Sequence, residues 1–294
     1  MRWRAAVALA LAGLGGAALA QPVSVVDDTG ATVSLARPAA RIVALTPHIV
    51  ENLYAVGAGG QIVGAVEFSD YPSAARAIPR IGSYERFDVE RIVALAPDLV
   101  IGWESGNNRA QLAQLQAMGL TVYRSQPDTI DDVADELAAF GRLSGNAASG
   151  ARAAEDYRGR AAILRARFGA KARVPVFYQI WDSPLMTVGR RQIIGDVIDL
   201  CGGENVFRDL ETMAPQVSVE AVLAADAEVF VAGGMGEVRR DWLENWRRWS
   251  QLKAVQRDNL FFVPADWMQR HTSRLLDGAD LLCAHLELAR SRRP

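Results

Sequence analysis

The chain has 294 residues, of which 50% are hydrophobic and 22% charged, so it can bury a substantial core and is neither disordered nor fibrous. Its 32 lysine and arginine residues against 34 aspartate and glutamate residues give a net charge of −2. Such a balance provides no basic field for a polyanion, and we expect no nucleic-acid partner. At roughly 150 residues per domain, the length fits one large domain or two lobes.

The first twenty residues have the pattern of an export signal. Arg2 and Arg4 precede an apolar run that ends in Ala18-Leu19-Ala20, a small-x-small cleavage site. The alternative is a membrane anchor, but the run is shorter than the roughly 20 residues that a spanning helix needs. We expect cleavage after Ala20 and export of a soluble protein. We also expect no lipid anchor, because no cysteine lies near the junction.

Short β-branched runs alternate with helical segments along most of the chain, which predicts an α/β fold with largely parallel sheets. The predicted strands are residues 41–45, 62–66, 98–102, 121–123, 174–180, 228–232 and 260–263. Residues 146–169 carry no strand signal. Apolar residues recur there at helical spacing, at Tyr157, Ala161, Leu164 and Phe168.

The segment 146–169 is predicted to be one long helix. At 1.5 Å per residue it would run about 35 Å, long enough to cross a whole lobe. We therefore expect an N-terminal lobe at 21–145, a connecting helix at 146–170 and a C-terminal lobe at 171–294.

A repeated helix–strand unit supports two similar lobes. Residues 89–101 align without gaps with residues 219–231, with three identical positions. Each copy predicts a short helix that leads into a buried strand, and Asp88 and Ser218 are the expected N-caps. The alternative is a chance match, since many α/β chains contain such units.

The two cysteines, Cys201 and Cys283, would face an oxidising compartment, where an even count favours a disulfide. Two buried free thiols are the alternative. A catalytic cysteine is disfavoured because neither lies in a nucleophile motif. A bridge would close a loop of about 80 residues, for which the chain-entropy model gives at most about 4.5 kcal/mol.

Aromatic and polar residues follow the carboxyl ends of the predicted strands in both halves, where ligands of open parallel sheets collect. Such groups suit a large, flat, partly apolar ligand. In the first half they are Thr46-Pro47-His48, Glu67-Phe68, Ser83-Tyr84 and Trp103-Glu104. In the second half they are Trp181-Asp182, Gly233-Gly234-Met235, Asp266-Trp267, Gln269-Arg270 and Arg274.

Each of these features also has a purely structural interpretation. A tryptophan after a strand often closes the end of the core, and Gly233-Gly234 fits a strand-end turn better than a phosphate cradle. His48 can cap a helix, form a hydrogen bond or bind a metal. With three histidines and no metal-ligand spacing, no metal site is predicted. The arginine- and tryptophan-rich stretch 239–249 fits an amphipathic helix better than a nucleic-acid surface.

No nucleophile–base arrangement emerges from the sequence. We therefore expect a binding protein rather than an enzyme. The alternative is a secreted hydrolase that uses carboxylates such as Glu104 and Asp182.

The motifs, taken in order, resemble the periplasmic binding proteins of iron-siderophore and cobalamin uptake, most closely the cobalamin-binding branch. They are RIVALTPH at 41–48, SDYP at 69–72, ERIVALAPDLV at 90–100, CGGENVF at 201–207 and Asp266-Trp267 to Arg274. The resemblance covers nearly all of residues 41–288. It implies a class III fold, with two Rossmann-like lobes joined by one long helix and a ligand cleft between them. It also implies a periplasmic, monomeric protein that delivers cargo to an ABC importer permease and, through it, to its ATPase.

The resemblance also implies roles for single residues. Its cleft positions fall on Pro47, Phe68, Tyr84, Trp103, Phe207, Trp249, Asp266 and Arg270, and the strand ends add His48, Trp181 and Trp267. Glu90 and Glu220 match two glutamates that dock onto permease arginines, although the helix dipole alone favours a first-turn glutamate by about 0.3 to 1 kcal/mol. Cys201 and Cys283 match a disulfide of the cobalamin-binding proteins.

The chain departs from this pattern at Trp181-Asp182, where cobalamin binders have small residues, and this would reshape the cleft. The expected cargo is cobalamin or another corrinoid, with a ferric siderophore or haem as the alternative. A siderophore would call for more basic residues than Arg270 and Arg274. No resident cofactor is expected, and the long helix should limit closure to small rocking movements.

Overall fold

The computed structural model describes residues 22–233 and 240–294. Its strands are β1 (Val23–Val26), β2 (Thr32–Leu35), β3 (Ile42–Ala44), β4 (Ile62–Ala65), β5 (Leu99–Trp103), β6 (Val122–Ser125), β7 (Val174–Trp181), β8 (Met186–Thr187), β9 (Gly203–Asn205), β10 (Val229–Ala232) and β11 (Leu260–Phe262). Its α-helices are α1 (Pro47–Ala55), α2 (Val89–Ala94), α3 (Arg109–Ala117), α4 (Ile130–Leu143), α5 (Ala147–Phe168), α6 (Ile193–Leu200), α7 (Val219–Ala225), α8 (Arg240–Glu244), α9 (Lys253–Gln256), α10 (Ala265–Met268) and α11 (Leu275–Ser291). The predicted export signal and its cleavage site after Ala20 lie outside the described residues, as do Gly234 and Met235.

Two separate sheets form the framework. The first has the strand order β4-β3-β5-β6, and all of its pairings are parallel. The second has the order β11-β10-β7-β8, with β9 also paired to β7. Its pairings are parallel except for the antiparallel pair of β7 and β8. The predicted α/β class with mostly parallel sheets is confirmed, and every predicted strand is present within a few residues of its expected bounds.

In the sequence, helix α5 follows the last strand of the first sheet and precedes the first strand of the second. It has 22 residues, which gives a length of about 33 Å at 1.5 Å per residue. The apolar residues that predicted it, Tyr157, Ala161, Leu164 and Phe168, are all buried. It packs closely on α4, where a Cβ at Gly150 would lie 2.7 Å from the Cα of Gly141, so neither glycine can carry a side chain without moving the helices apart.

The largest cluster of buried side chains is shared by both halves. It runs from β3 through α4 and α5 to β7, α6 and α11. A second cluster covers the other face of the first sheet, and a third covers the other face of the second sheet. The two halves are therefore held together by one apolar core, to which α4 and α5 contribute their buried faces.

The repeated unit forms as predicted. Asp88 accepts a hydrogen bond from the backbone N–H of Arg91 at the start of α2, and Ser218 accepts one from Ala221 at the start of α7. Helix α2 leads into β5 and α7 into β10. The matching sequences therefore occupy equivalent places in the two sheets.

Cys201 and Cys283 form a disulfide between the end of α6 and the middle of α11, as the sequence favoured.

The sequence did not predict the antiparallel hairpin of β1 and β2, because its four-residue strands lie in a polar stretch. Strands β8 and β9 were also missed. Both are too short, at two and three residues, to produce a pattern. Across residues 22–233 and 240–294, no helix is long and apolar enough to cross a membrane.

Candidate functional site

An indole and two imidazoles meet at the strand ends of both sheets. Trp103 is the last residue of β5, His48 is the second residue of α1 directly after β3, and His271 follows α10 beyond β11. Their ring centroids lie 5.1 Å apart for His48 and His271, and 5.6 Å apart for Trp103 and either histidine. All three contacts are edge-to-face. Two of the predicted site residues, His48 and Trp103, are thus brought together, and His271 joins them from the other half.

Both histidines of this group are neutral at pH 7. Burial lowers the pKa of His48 well below its usual value, and the nearby His271 and Arg270 lower it further because they disfavour a second positive charge. Burial lowers the pKa of His271 to about 4. The Oγ of Thr46 lies 3.1 Å from Nδ1 of His48, whereas Nδ1 of His271 is buried without a hydrogen-bond partner in the described structure.

A buried carboxylate next to this group binds the two arginines predicted over the cleft. Glu51, on α1, accepts hydrogen bonds from Arg270 Nη1 at 2.7 Å and from Arg274 Nε and Nη2 at 2.9 and 2.7 Å. Arg270 also lies 3.2 Å from Asp266, which is exposed, and 3.6 Å from Asp70. Predicted residues Asp266 and Arg270 are therefore neighbours, and Glu51, which the sequence did not single out, holds Arg270 in place.

Asn52 connects the first half to the segment that carries His271. Its Nδ2 donates to Glu136 Oε2 at 2.8 Å and to the backbone O of His271 at 2.9 Å. Glu136 also accepts a hydrogen bond from the Ser125 hydroxyl. Burial raises the pKa of Glu136 to about 8, although these hydrogen bonds act in the opposite direction. These hydrogen bonds connect α1, β6 and α4 of the first half to the segment of the second half that carries His271.

Asn107 positions Trp103 and the loop of Tyr84, and sequence reasoning missed it as well. Its Oδ1 accepts from the backbone N–H of Trp103 at 2.6 Å. Its Nδ2 donates to the backbone O of Tyr84 at 2.6 Å and to that of Leu45 at 3.0 Å. Tyr84 is half-buried, and Asn107 is buried. The signal available in the sequence was an asparagine shortly after a predicted strand, but its burial is visible only in the structure.

Phe68 and Pro47 lie on the first-half side of the site. Phe68 is 71% exposed, and its backbone has a φ of 61°, in the left-handed region that non-glycine residues rarely adopt. Its carbonyl lies 3.4 Å from Arg270 Nη2. Pro47 is the half-buried first residue of α1. The exposed phenyl ring is available to a ligand.

In the second half, the predicted residue Trp181 is 41% exposed at the end of β7. Its Nε1 donates a hydrogen bond to the backbone O of Ser183 at 3.0 Å. Its ring meets that of Trp242 edge-to-face, with 5.9 Å between the ring centroids. Trp267, on α10, is half-buried. The indole of Trp181 is therefore fixed at its N–H end and partly open to solvent.

Phe207 and Trp249 pack against the third buried cluster, the one that covers the second sheet on the face away from the shared core. Phe207 contacts Phe177 at 5.8 Å between ring centroids, and Trp249 contacts Trp246 at 5.0 Å. Both remain partly exposed. Trp242 and Trp246 are buried, while Arg247 and Arg248 are exposed, as an amphipathic segment predicts.

Glu90 and Glu220 occupy the second positions of α2 and α7, and both side chains are exposed. Glu104, the carboxylate considered for hydrolysis, is instead paired with Arg124 at 3.0 Å and Arg109 at 3.2 Å. Asp182 accepts from Gln179 Nε2 at 2.9 Å. Within the described ranges, no group of three or more histidine, cysteine, aspartate or glutamate residues could hold a metal ion.

Residues 42–267 match the family described as periplasmic binding protein, which is most of the chain. The chain belongs to this family. It is 37% identical over 256 residues to the vitamin B12-binding protein of Vibrio cholerae serotype O1, covering 87% of this chain and 92% of that protein. A vitamin B12-binding protein of Yersinia pestis is 33% identical over 255 residues, covering 85% and 88%.

Solved structures of other periplasmic proteins share the fold of this chain. The periplasmic vitamin B12 binding protein BtuF of Vibrio cholerae superposes with a TM-score of 0.80 at 37% identity, covering 86% of this chain and 98% of that one. The periplasmic heme-binding protein RhuT from Roseiflexus sp. RS-1 superposes with a TM-score of 0.72 at 24% identity, covering 85% and 98%. At 24% identity, the similarity to RhuT shows a shared fold and nothing about the ligand.

Proposed function

We propose that this protein is the periplasmic substrate-binding component of an ABC importer and that its cargo is cobalamin or a related corrinoid. The observation that carries the proposal is the meeting of Trp103 with His48 and His271, which brings strand-end residues of both sheets to one place. Parallel α/β sheets bind ligands at their strand ends. Relatives named for vitamin B12 binding align with 87% of the chain.

The cargo site lies between an N-terminal lobe at 21–145 and a C-terminal lobe at 171–294, joined by a connecting helix at 146–170. Aromatic rings of both lobes grip a broad ligand, and Arg270 and Asp266 provide polar contacts. The contributing residues are Pro47, His48, Phe68, Tyr84, Trp103, Trp181, Phe207, Trp249, Asp266, Trp267 and Arg270.

Delivery to the permease uses one exposed glutamate from each lobe. Glu90 and Glu220 lie at the same position of repeated helices, which suits a partner with two similar halves. Periplasmic binding proteins of this type deliver their ligand to an ABC permease. The protein acts as a non-enzymatic, monomeric carrier in the periplasm after cleavage of its signal behind Ala20.

Haem and ferric siderophores are the second candidate cargo. The feature in their favour is Trp181, which is 41% exposed at the end of β7, where cobalamin binders have small residues, and we propose that its indole narrows the cleft. A cargo smaller than intact cobalamin would then fit better. The ion pairs of Arg270 and Arg274 with Glu51 speak against an anionic siderophore, because they reduce the positive charge over the cleft.

Calorimetric titration of the mature protein with cobalamin, cobinamide, haem and a ferric siderophore tests the proposal. We expect saturable heat with a corrinoid at one site per chain, and no product when the bound corrinoid is recovered and analysed. Saturation by haem or the siderophore alone would contradict the corrinoid assignment. Turnover of the ligand would contradict the carrier function and favour a hydrolase.

A further inference from the structure

Five charged side chains, which we call the ion-pair cluster, meet where the two halves come together. Arg270 and Arg274 of the second half both bind Glu51 of the first half. Arg270 also pairs with Asp266 of its own half at 3.2 Å and lies 3.6 Å from Asp70 of the first half. Two guanidinium groups thus face three carboxylates, so the ion-pair cluster carries one net negative charge.

The buried and the exposed charges of the ion-pair cluster differ in sign. The side chains of Arg270 and Arg274 are each 15% exposed, and that of Glu51 is 4% exposed. Those of Asp70 and Asp266 are 53% and 56% exposed. A solute that approaches this surface therefore meets carboxylate oxygens, whereas the positive charge is largely buried and already shared with Glu51.

The two exposed carboxylates lie at the strand ends of both sheets. Asp70 is in the segment after β4, the edge strand of the first sheet, and Asp266 is on α10, which follows the edge strand β11 of the second sheet. The exposed rings of Phe68 and Tyr71 flank Asp70 in the sequence. Arg80, further along this segment, is half-buried and donates to three of its backbone carbonyls. This end of the proposed cleft therefore combines aromatic faces with exposed negative charge.

Such a surface distinguishes ligands by the charge of their polar edge. An amide side chain is neutral, and its N–H donates a hydrogen bond to a carboxylate oxygen. An ionised carboxylate side chain only accepts hydrogen bonds, and like charges repel it. This repulsion extends over a Debye length, about 8 Å at physiological salt, so the ligand does not have to reach the buried arginines to experience it.

We propose that Asp70 and Asp266 make the cleft select flat macrocycles with an amidated, uncharged edge and reject those that carry carboxylates at that edge. Glu51 supports this selection because it neutralises guanidinium charge that would otherwise attract an acid. The inference rests on the proposed function and deepens it, since it names the amidated corrinoids as cargo and disfavours the acid forms of the same ring. Haem is disfavoured for the same reason, because its propionate side chains are carboxylates.

Calorimetric titration with cobinamide and with its separated monocarboxylates tests the proposal. Each monocarboxylate has one side-chain amide hydrolysed, so the ligands differ by a single charge. We expect at least one of them to bind about tenfold more weakly than cobinamide at about 20 mM salt, and the difference to shrink at about 500 mM, where charges are screened within a few ångströms. Equal affinities of cobinamide and all its monocarboxylates would overturn the inference.

The double variant Asp70→Asn with Asp266→Asn locates the source of the selectivity. It leaves two guanidinium groups with Glu51 alone, so the monocarboxylate that the parent rejects should bind at least as tightly as cobinamide. Binding of cobinamide itself shows that the variant is folded. The matched control, Asp135→Asn with Asp258→Asn, removes the same charge from two exposed aspartates that pair with other arginines, and it should keep the parental preference.

Three results would contradict the assignment to Asp70 and Asp266. They are selectivity that persists in the double variant, selectivity that is lost in the control, and a double variant that no longer binds cobinamide. Failure of this inference can be told apart from failure of the proposed function. If the parent binds cobinamide and all its monocarboxylates equally, the carrier function stands and only the selectivity falls. If neither cobalamin nor cobinamide binds, the corrinoid function itself is wrong.

Discussion

Glu51 and Arg274 form a two-pronged ion pair, although 223 positions separate them in the chain. Glu51 lies on α1 beside the first sheet, and Arg274 precedes α11 beside the second. Arg270 adds a third hydrogen bond to the same carboxylate, and the ring of Tyr71 covers the Arg274 guanidinium at 4.0 Å. Bidentate arginine–carboxylate pairs are the strong class of ion pair. These ion pairs therefore connect the two halves beside the proposed site, in addition to the shared apolar core.

Removing the charge of Glu51 should destabilise the protein. Its side chain is buried, so Glu51→Gln leaves two guanidinium groups without their shared counter-charge. Loss of one partner of a buried pair costs about 3 kcal/mol or more. We expect the free energy of unfolding, measured with urea, to fall by about that amount.

The control is Glu211→Gln, which removes the same charge from an exposed pair with Arg190 at 3.5 Å. Exposed pairs contribute between nothing and about 1 kcal/mol, so the control should unfold almost as the parent does. Equal losses in the two variants would mean that the ion pairs of Glu51 contribute no more than a surface pair.

The ring of Trp103 is expected to contribute to corrinoid affinity. Trp103→Ala should weaken binding by about 2 kcal/mol, roughly thirtyfold, if the indole faces the cargo. Gly106 offers an independent way to disturb the same ring, because a Cβ there would overlap the indole. Gly106→Ala should therefore also weaken binding while the indole is still present. Titration calorimetry measures both effects.

Stability must be measured alongside these affinities, because Trp103 packs against His48 and His271. Urea unfolding of each variant provides this check. Unchanged corrinoid affinity in Trp103→Ala would assign the ring to the core that closes the end of the first sheet.

Much of the architecture could be predicted because local patterns determine it. The buried strands Leu99–Trp103 and Val229–Ala232 are continuous apolar runs, and α5 shows its buried face at helical spacing. The caps Asp88 and Ser218 are local signals as well. The hairpin of β1 and β2 was missed because its alternation lasts only four residues per strand.

The site itself depends on contacts that no local pattern contains. Glu51 and Asn52 look like ordinary polar residues of an amphipathic helix, yet both are buried and bind residues more than two hundred positions away. His271 gave no signal beyond lying next to Arg270. Strand-end position identified Trp103 and His48, but only the packing of the two halves shows which partners they meet.

Glu90 and Glu220 are expected to act in transport and not in binding. Replacing both by alanine should abolish corrinoid uptake by cells that depend on this protein, because each lobe would lose its proposed contact with the permease. Affinity for the corrinoid should stay within about threefold, roughly 0.7 kcal/mol, since both side chains are exposed on short helices. Uptake of labelled cobalamin and calorimetry measure the two quantities.

The matched control replaces Glu155 and Glu211 by alanine, two exposed glutamates outside the repeated helices. It removes the same charge from the protein, so loss of uptake in this control as well would attribute the effect to net charge. A large loss of affinity in the Glu90 and Glu220 variant would mean that these residues support the cleft.

Glu136 should make stability depend on pH. Burial raises its pKa to about 8 in the folded protein, whereas the unfolded value is near 4.5. Between these values the unfolded chain releases a proton that the folded protein keeps, so stability falls as pH rises and the loss is complete above about pH 8. Each unit by which the pKa is raised corresponds to about 1.4 kcal/mol.

Glu136→Gln removes this titration and can keep hydrogen bonds to Asn52 and Ser125, because its amide has both an acceptor and donors. We expect the difference in unfolding free energy between the variant and the parent to shift in favour of the variant as pH rises from 5 to about 8, and then to level off. Urea unfolding at pH 5, 7 and 9 measures it, with the exposed Glu155→Gln as control. A difference that stays constant over this range would show that the carboxyl group of Glu136 titrates normally and that the network around Asn52 holds it ionised.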